Sequence, residues 1–378
     1  MPTLPMLPTQ EVGSLRKPYW MVEGARGGKL SEGALRELES HLQKVPFSDA
    51  SSQPFIERWR KGSAAEVSPD VVREVGSLFG LRFLETAGLD LVYDGEMRRV
   101  EMYEYPIQHS TGFRFLGHVR SFDNKYYRKA ACVGEVGLKA PYHLEEFSFV
   151  KDHTQRVPKV PITGAYTLAD WSWNEYYLRQ QPGWKGPKER RAAQREFVVD
   201  IARKIIRPTL KALVEKGAKV LQIDEPAAGT HPEETALVVE SFNESTVGID
   251  AKLVMHICFS DYNSLFPGML EAKNCRQFLL EFANRDVEGR DGYEDLGLFE
   301  DVNDGREVGV GVLDIHRDII ETPEIVKERI LKAVHRLKDP ARVYVNPDCG
   351  LRTRSLDVSW QKLVNMVKGT ELAREAIA

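Results

Sequence analysis

Short apolar runs recur along the chain, and each one gives way to polar or charged residues before a longer amphipathic stretch begins. A run of four to eight apolar residues bounded by turn residues is typical of a buried strand. We count eight candidate strands, which end at or near Ser14, Glu96, Thr167, Asp224, Cys258, Glu281, His316 and Cys349.

Three of the stretches between these runs have the apolar spacing of amphipathic helices. Residues 68–88 begin with Ser-Pro and close on Gly, which is the expected pair of helix ends. Residues 188–217 contain Pro208, which we expect to kink or divide the helix. Residues 322–338 start with Thr-Pro and finish in a basic turn that suits the helix dipole.

Strands and helices therefore alternate, with strands starting roughly every 25 to 35 residues in the second half of the chain, as in βαβ units. Eight such units predict an α/β fold, a single (β/α)8 TIM barrel over residues 1–378. A doubly wound open sheet is the alternative fold, but no G-x-G-x-x-G loop follows the first strand.

One segment breaks the repeat. Residues 98–158 alternate between polar and apolar positions in the manner of antiparallel strands. We therefore expect an inserted excursion after the second strand, acting as a hairpin flap.

Composition narrows the possible partners. The net charge of −4 provides no general attraction for nucleic acid or an anionic membrane surface. No apolar run reaches about 18 residues, so we expect no membrane span. Four cysteines are too few for a disulfide framework in 378 residues, which favours a reducing cytoplasm where thiols are free to bind metal.

Polar residues at strand ends suggest chemistry, because parallel barrel strands all present their carboxyl ends on one face. Four of these residues have the side chains that zinc prefers, namely His256, Cys258, Glu281 and Cys349. Residues i and i+2 of a strand point the same way, so both side chains of the H-x-C pair can face one ion. An isolated H-x-C pair is more often two buried residues without a ligand, and only the set of four favours metal.

The remaining polar residues fit a thiol-alkylation site. Two thiolates and a carboxylate make zinc a weak activator of water but leave it able to hold a substrate thiol ionised. His316 can exchange a proton near neutral pH. Glu96 and Asp224 can bind the ammonium group of an amino acid, although both would also serve as ion-pair partners at the barrel rim.

Seven segments carry a family resemblance. In chain order they are EVGSL, DGEMRRVEMYEY, LQIDEPA, MHICFSDYN, LLEFANRD, GVGVLDIH and VNPDCGLRTRS. Together they resemble the motifs of the cobalamin-independent methionine synthases, over roughly residues 9–367. The resemblance is to the catalytic C-terminal half of that family and to its short single-barrel members.

The resemblance implies a zinc-dependent enzyme that methylates homocysteine to methionine. It implies His256, Cys258, Glu281 and Cys349 as zinc ligands and His316 as the residue that assists methyl transfer. It also implies that Glu96 and Asp224 bind the homocysteine amino group, that the main chain of Val12, Gly13 and Ser14 binds its carboxylate, and that Trp171 stacks on the donor.

Two donors remain open at this point, methyltetrahydrofolate and a methylated corrinoid protein. Two other functions also remain open. One is a zinc-dependent alkyltransferase that acts on coenzyme M, and the other is a non-enzymatic zinc-stabilised domain that only docks to a corrinoid protein.

Overall fold

The structure is a computed structural model of the 378-residue chain. It describes residues 3–27, 29–48, 52–60, 68–120, 126–302 and 304–378.

Strands and helices alternate along most of the described residues. The strands are β1 (Leu91–Val92), β2 (Ser110–Arg120), β3 (Tyr126–Leu138), β4 (Val157–Thr163), β5 (Trp173–Asn174), β6 (Val220–Asp224), β7 (Lys252–Ile257), β8 (Cys275–Leu280), β9 (Glu307–Leu313) and β10 (Val343–Pro347). The helices are α1 (Tyr19–Ala25), α2 (Glu32–Lys44), α3 (Gln53–Arg60), α4 (Pro69–Ala87), α5 (Glu104–Gln108), α6 (Leu144–His153), α7 (Ala165–Asp170), α8 (Tyr176–Gln180), α9 (Pro187–Ile201), α10 (Arg207–Glu215), α11 (Thr235–Thr246), α12 (Tyr262–Leu265), α13 (Pro323–Leu337) and α14 (Leu356–Ile377).

Seven strands form one parallel sheet in the order β1-β4-β6-β7-β8-β9-β10. Its two outer strands both pair with the N-terminal segment, since Gln10 bridges to Leu91 of β1 and Thr9 bridges to Val345 of β10. The sheet therefore curls round towards itself, and the α/β class predicted from the sequence is confirmed. The predicted first strand is reduced to these two bridges.

A small apolar cluster packs on one face of this curled sheet. It combines side chains from both outer strands, from four of the inner strands and from the N-terminal segment: Val12, Leu91, Val157, Val220, Val254, Leu279 and Tyr344. Gly309 of β9 lies at the same level, where an added Cβ would come within 2.5 Å of Leu279. The close packing explains why β9 carries glycine there.

A separate three-stranded sheet interrupts the alternation. Strands β2 and β3 pair antiparallel, and β5 pairs in parallel with β3. This hairpin lies within the predicted excursion at 98–158, of which residues 121–125 are outside the described residues.

The three predicted helices are present with the expected ends. Ser68 caps α4, where its side chain accepts a hydrogen bond from the Val71 amide, and Thr322 caps α13 in the same way. The predicted helix at 188–217 is divided into α9 and α10 by a π-helical turn over Ala202–Ile206. Pro208 lies in the first turn of α10 and has no amide to donate, so the helix changes its hydrogen-bonding pattern just before this residue.

No helix in the described ranges combines the length and the apolar character needed to cross a membrane.

Candidate active site

The carboxyl ends of the parallel strands surround a cavity of about 170 Å³. Nine of the eleven site residues predicted from the sequence line it: Val12, Gly13, Ser14, Glu96, Trp171, Asp224, His256, Cys258 and Cys349. Glu281 and His316 are not among its lining residues. The strand-end argument therefore placed residues from distant parts of the chain around a common opening.

Three of these side chains form a compact group that could hold a metal ion. The ligand atoms of His256, Cys258 and Cys349 all lie within 4.8 Å of one another. The two sulfur atoms are 3.6 Å apart. His256 has its Nδ1 atom 3.0 Å from the Leu279 carbonyl, while its Nε2 atom is buried without a hydrogen-bond partner. A buried polar atom of this kind normally has a partner, and a metal ion would supply one.

Charge within the group favours a thiolate. Contact with the Cys258 thiol, assisted by His256, holds the pKa of Cys349 well below its usual range despite burial. The same sulfur contact, together with burial, raises the pKa of Cys258. Burial would lower the pKa of His256, but its contact with Cys349 raises it. A thiolate beside an imidazole nitrogen suits a soft cation, which would take the place of a proton on His256 Nε2.

Glu281 lies outside this group and turns towards His316. Its carboxylate is fully buried, with one oxygen 2.9 Å from the Phe259 amide and the other 3.5 Å from His316 Nε2. Burial would lower the pKa of His316, but Glu281 raises it. The structure therefore brings these two predicted residues together and leaves His256, Cys258 and Cys349 as a separate set.

Asp348 positions the loop that follows Glu281. Its carboxylate accepts hydrogen bonds from the amides of Phe282, Ala283 and Asn284 at 2.9, 2.9 and 2.8 Å. Because Cys349 is the next residue, one strand end provides a thiolate and also fixes the neighbouring loop. Sequence reasoning did not assign a role to Asp348, although it stands inside the P-D-C-G motif that was singled out.

Glu96 reaches the cavity from an unusual backbone conformation. It has φ of 60°, and Gly95 before it has φ of 65°. The turn is held by Asp94, whose carboxylate accepts the Glu96 amide at 2.8 Å. Burial raises the pKa of Glu96, whereas the nearby Arg99 guanidinium lowers it. Left-handed backbone at a glutamate is uncommon, and it directs this side chain towards the opening.

Arg99 connects the Glu96 turn to the surrounding fold. Its guanidinium is 3.6 Å from Glu96, 2.6 Å from Glu146 of α6 and 2.8 Å from the Pro161 carbonyl of β4. Both Arg99 and Glu146 are almost fully buried. Sequence analysis missed this pair because the two residues are far apart in the chain and neither ends a strand.

Asp224 is the second carboxylate at the opening. Its Oδ1 atom accepts a hydrogen bond from the Gln222 amide group at 2.6 Å, and the same amide group donates to the Val12 carbonyl at 2.5 Å. Burial raises the pKa of Asp224 to about 7. A cationic group bound in the cavity would favour its ionised form.

The segment at Val12–Ser14 passes close to two other strand ends. A Cβ atom on Gly13 would lie 3.1 Å from a carboxylate oxygen of Glu96, and one on Gly350 would lie 3.1 Å from the Ser14 amide nitrogen. The main chain of this segment therefore runs along the cavity wall between Glu96 and the loop after β10.

Trp171 forms part of an aromatic wall with the hairpin. Its ring stacks on Tyr127 of β3 at a centroid distance of 5.2 Å, and Tyr126 also lines the cavity. Trp171 follows α7, whose first turn is held by the buried carboxylate of Glu225 through the Thr167 amide at 2.8 Å. Tyr127 and Glu225 were not predicted from the sequence as parts of the site.

Comparison with known proteins gives a consistent result. Residues 57–372 match the family model described as the catalytic domain of cobalamin-independent synthase. The methionine synthase of Pyrococcus abyssi is 39% identical over 375 residues, which cover 99% of this chain and 95% of that protein. The methionine synthase of Thermoplasma volcanium is 41% identical over 379 residues, with 95% of each chain covered.

A solved structure has the same fold. It is a B12-independent methionine synthase from a Shewanella species in complex with selenomethionine, and it matches with a TM-score of 0.73 at 23% identity over 99% of both chains. The family suggested by the seven sequence motifs is confirmed by the family model and by the close relatives. The chain therefore belongs to the cobalamin-independent methionine synthase family of methyltransferases.

Proposed function

We propose that this protein transfers a methyl group to the thiol of homocysteine, and that it uses a zinc ion to do so. The observation that supports this proposal best is the buried group of His256, Cys258 and Cys349 at the opening of the curled sheet. Three carboxylates, Glu96, Glu101 and Asp224, line the same cavity. The combination suits a substrate that carries both a thiol and an ammonium group.

The donor set fits zinc better than other common cations. Two sulfur atoms disfavour magnesium and calcium, whereas zinc binds thiolate and imidazole together. The unpartnered His256 Nε2 atom provides a third donor. We propose Glu281 as the fourth ligand. When bound, zinc would keep the substrate thiol ionised near neutral pH.

The remaining roles concern the orientation of homocysteine. We assign its ammonium group to Glu96 and Asp224, and its carboxylate to the main chain of Val12, Gly13 and Ser14. Holding both groups would aim the sulfur at the donor methyl, which lowers the entropic barrier to transfer.

The donor side of the site is assigned to Trp171 and His316. The Trp171 ring, stacked on Tyr127, offers a flat surface for the donor, which we take to be methyltetrahydrofolate or a methylated corrinoid protein. His316 has a raised pKa and lies against Glu281, so it can supply a proton to the departing donor.

We further infer that the sheet and the N-terminal segment form one (β/α)8 barrel over residues 1–378, with 98–158 as its insertion. The bridges at Thr9 and Gln10, which link that segment to both outer strands, support this interpretation. All four cysteines are free in the structure, in keeping with a proposed location in a reducing cytoplasm.

The direct test is a methyl-transfer assay with homocysteine and each donor in turn. We expect methionine with at least one donor, and bound zinc at one equivalent per chain. Coenzyme M carries a sulfonate and no ammonium, so the carboxylates at the opening should disfavour it. Turnover with coenzyme M but not with homocysteine would overturn the proposal, as would the absence of turnover with any donor.

Substitution of a cysteine tests the metal assignment. Cys349→Ser should lose bound zinc and methionine formation together, because a hydroxyl is a poor replacement for a thiolate ligand. Cys275→Ser is the matched control, since Cys275 is a buried free cysteine of β8 that lines no part of the cavity. Stoichiometric zinc in the Cys349 variant would refute the ligand set.

A further inference from the structure

One cation at the cavity has no role in the arrangement described so far. Within the part of the chain that the structure describes, Arg352 is the one arginine or lysine that lines the cavity. It also lines an adjoining recess of about 150 Å³ that shares Ser14 and Glu96 with the cavity. Its guanidinium makes no hydrogen bond or ion pair with any described residue.

The neighbouring cations Lys17 and Arg99 are already engaged. Lys17 lines the recess and donates to the Arg99 carbonyl oxygen. Arg99 is held by Glu146 and the Pro161 carbonyl. Arg352 is thus a half-buried charge whose five N–H donors are available to a ligand.

The position of Arg352 relative to the proposed ammonium site is informative. Gly350, two residues earlier, packs against the Ser14 main chain, and Gly13 packs against the Glu96 carboxylate. The loop after β10, the N-terminal segment and the Glu96 turn therefore meet at one corner of the opening. In an α-amino acid the ammonium and carboxylate are attached to the same carbon, so a ligand with its ammonium on Glu96 presents its carboxylate at this corner.

We propose that Arg352 binds the α-carboxylate of the acceptor and thereby makes the site selective for amino-acid thiols over simple amino thiols. This inference rests on the proposed function. Arginine forms paired, charge-assisted hydrogen bonds with carboxylates, which are about twice as strong as neutral ones. The Val12–Ser14 main chain alone would provide only neutral donors.

A role in charge balance alone would give a different experimental result. Glu96, Glu101 and Asp224 also line the cavity, and in this second role Arg352 would only balance their negative charge. In that case the loss of Arg352 would lower the affinity for every ligand that binds those carboxylates, whether or not the ligand has a carboxylate of its own.

The experiment compares L-homocysteine with 3-aminopropanethiol, which has the same thiol and amine but no carboxylate. Binding of each compound to the zinc-loaded protein is measured by calorimetry for the natural protein and for Arg352→Met. We expect the substitution to lower the affinity for homocysteine by about 10- to 100-fold and to change the affinity for 3-aminopropanethiol by less than about threefold.

Arg354→Met is the matched control. It removes an arginine from the same loop, but one that is already paired with Asp318 at 2.7 Å. We expect this substitution to lower the affinity for the two compounds equally or not at all. Arg352→Lys should recover part of the homocysteine affinity, because it restores the charge without the paired geometry.

Two results would overturn the inference. An equal loss of affinity for both compounds in Arg352→Met would assign the residue to charge balance. No loss of affinity for either compound would exclude Arg352 from acceptor binding. Failure of the proposed function would look different, because then the natural protein itself would form no methionine or would not bind homocysteine.

Discussion

At the scale of single residues, recognition of the acceptor depends on side chains that the fold holds in place before any ligand arrives. Glu96 is directed by a left-handed backbone and by Arg99, and Asp224 is held by Gln222. The burial of both carboxylates raises their pKa values. An incoming ammonium group would therefore stabilise their ionised forms more strongly than it would in water.

Replacement of Glu96 should therefore affect homocysteine and leave the metal alone. We expect Glu96→Gln to raise the KM for homocysteine about 10- to 100-fold, the effect of losing one charge-assisted hydrogen bond. Steady-state kinetics and zinc analysis on the same preparation check this. Unchanged homocysteine kinetics would refute the role of Glu96, and Glu74→Gln on α4 serves as the control outside the cavity.

The buried Arg99–Glu146 pair predicts a large effect on stability. Without the Glu146 charge, the buried Arg99 keeps only its longer ion pair with Glu96, so Glu146→Gln should lower the free energy of unfolding by about 3 kcal/mol at pH 7. Denaturant unfolding measures the change. Glu175→Gln breaks only an exposed pair with Arg179 and should cost less than about 0.5 kcal/mol.

The same pair gives a pH dependence. Burial would raise the pKa of Glu146, but Arg99 and His143 lower it well below the ordinary value of 4.5. A carboxyl whose pKa falls on folding stabilises the folded state above its unfolded pKa, and this contribution is lost as the pH decreases towards its folded pKa. The difference between the natural protein and Glu146→Gln should thus be constant above about pH 5 and shrink below it. A constant difference down to pH 3 would contradict the assignment.

At the scale of elements, helix α4 supports the turn that carries Glu96. Gly80 of α4 lies so close to this turn that an added Cβ would come within 2.1 Å of the Asp94 carbonyl oxygen. Ser77, one turn earlier, donates to the Asp94 carboxylate at 2.6 Å. The helix and the turn therefore pack backbone to backbone.

A methyl group at Gly80 should separate these two elements. We expect Gly80→Ala to lower the free energy of unfolding by about 1 to 3 kcal/mol through overpacking, and to raise the KM for homocysteine because the Glu96 turn moves. Gly117→Ala is the control, since an added Cβ there meets nothing within 4 Å. Equal stability of the two variants would show that α4 can shift without disturbing the turn.

The sequence predicted some elements of the site and not others, for a physical reason. His256, Cys258 and Cys349 could be placed together because each ends an apolar strand, and the ends of parallel strands converge. The pairs Arg99–Glu146 and Glu225–Thr167 join segments far apart in sequence, and no local pattern reports such contacts. The position of Glu281 beside His316 depends on loop geometry after two different strands, which periodicity does not specify.

Helix ends were predicted more accurately than the short strands. Ser68 and Thr322 are capping residues whose effect is local, so α4 and α13 begin where expected. The first predicted strand, by contrast, pairs only at Thr9 and Gln10. Its length depends on how the neighbouring strands curve, which is a property of the whole sheet.

At the scale of the whole molecule, the two ends of the chain meet where the sheet curls round. Arg374 of α14 donates to the carbonyl oxygens of Met6 and Leu7 at 2.8 and 3.1 Å and to Asp90 at 3.2 Å. Asp90 also accepts the Thr9 amide at 2.9 Å. One arginine near the C-terminus thus stabilises the N-terminal segment that joins the outer strands.

Loss of this arginine should weaken the junction. We expect Arg374→Met to lower the free energy of unfolding by about 1 to 2 kcal/mol, since hydrogen bonds made by a charged donor are lost at a partly buried site. Hydrogen exchange should increase first at residues 6–12. Arg36→Met is the control, because Arg36 pairs with Glu32 on the exposed side of α2 and its loss should change stability by less than about 0.5 kcal/mol.

The left-handed backbone at Glu96 also has an evolutionary consequence. A glutamate in this conformation costs roughly 1 kcal/mol relative to glycine, and asparagine tolerates it better. Selection for stability alone would favour glycine or asparagine at this position, and either residue would remove the carboxylate. Glutamate should persist only in lineages where turnover is under selection, while duplicated copies that have lost the activity should acquire glycine or asparagine at this position.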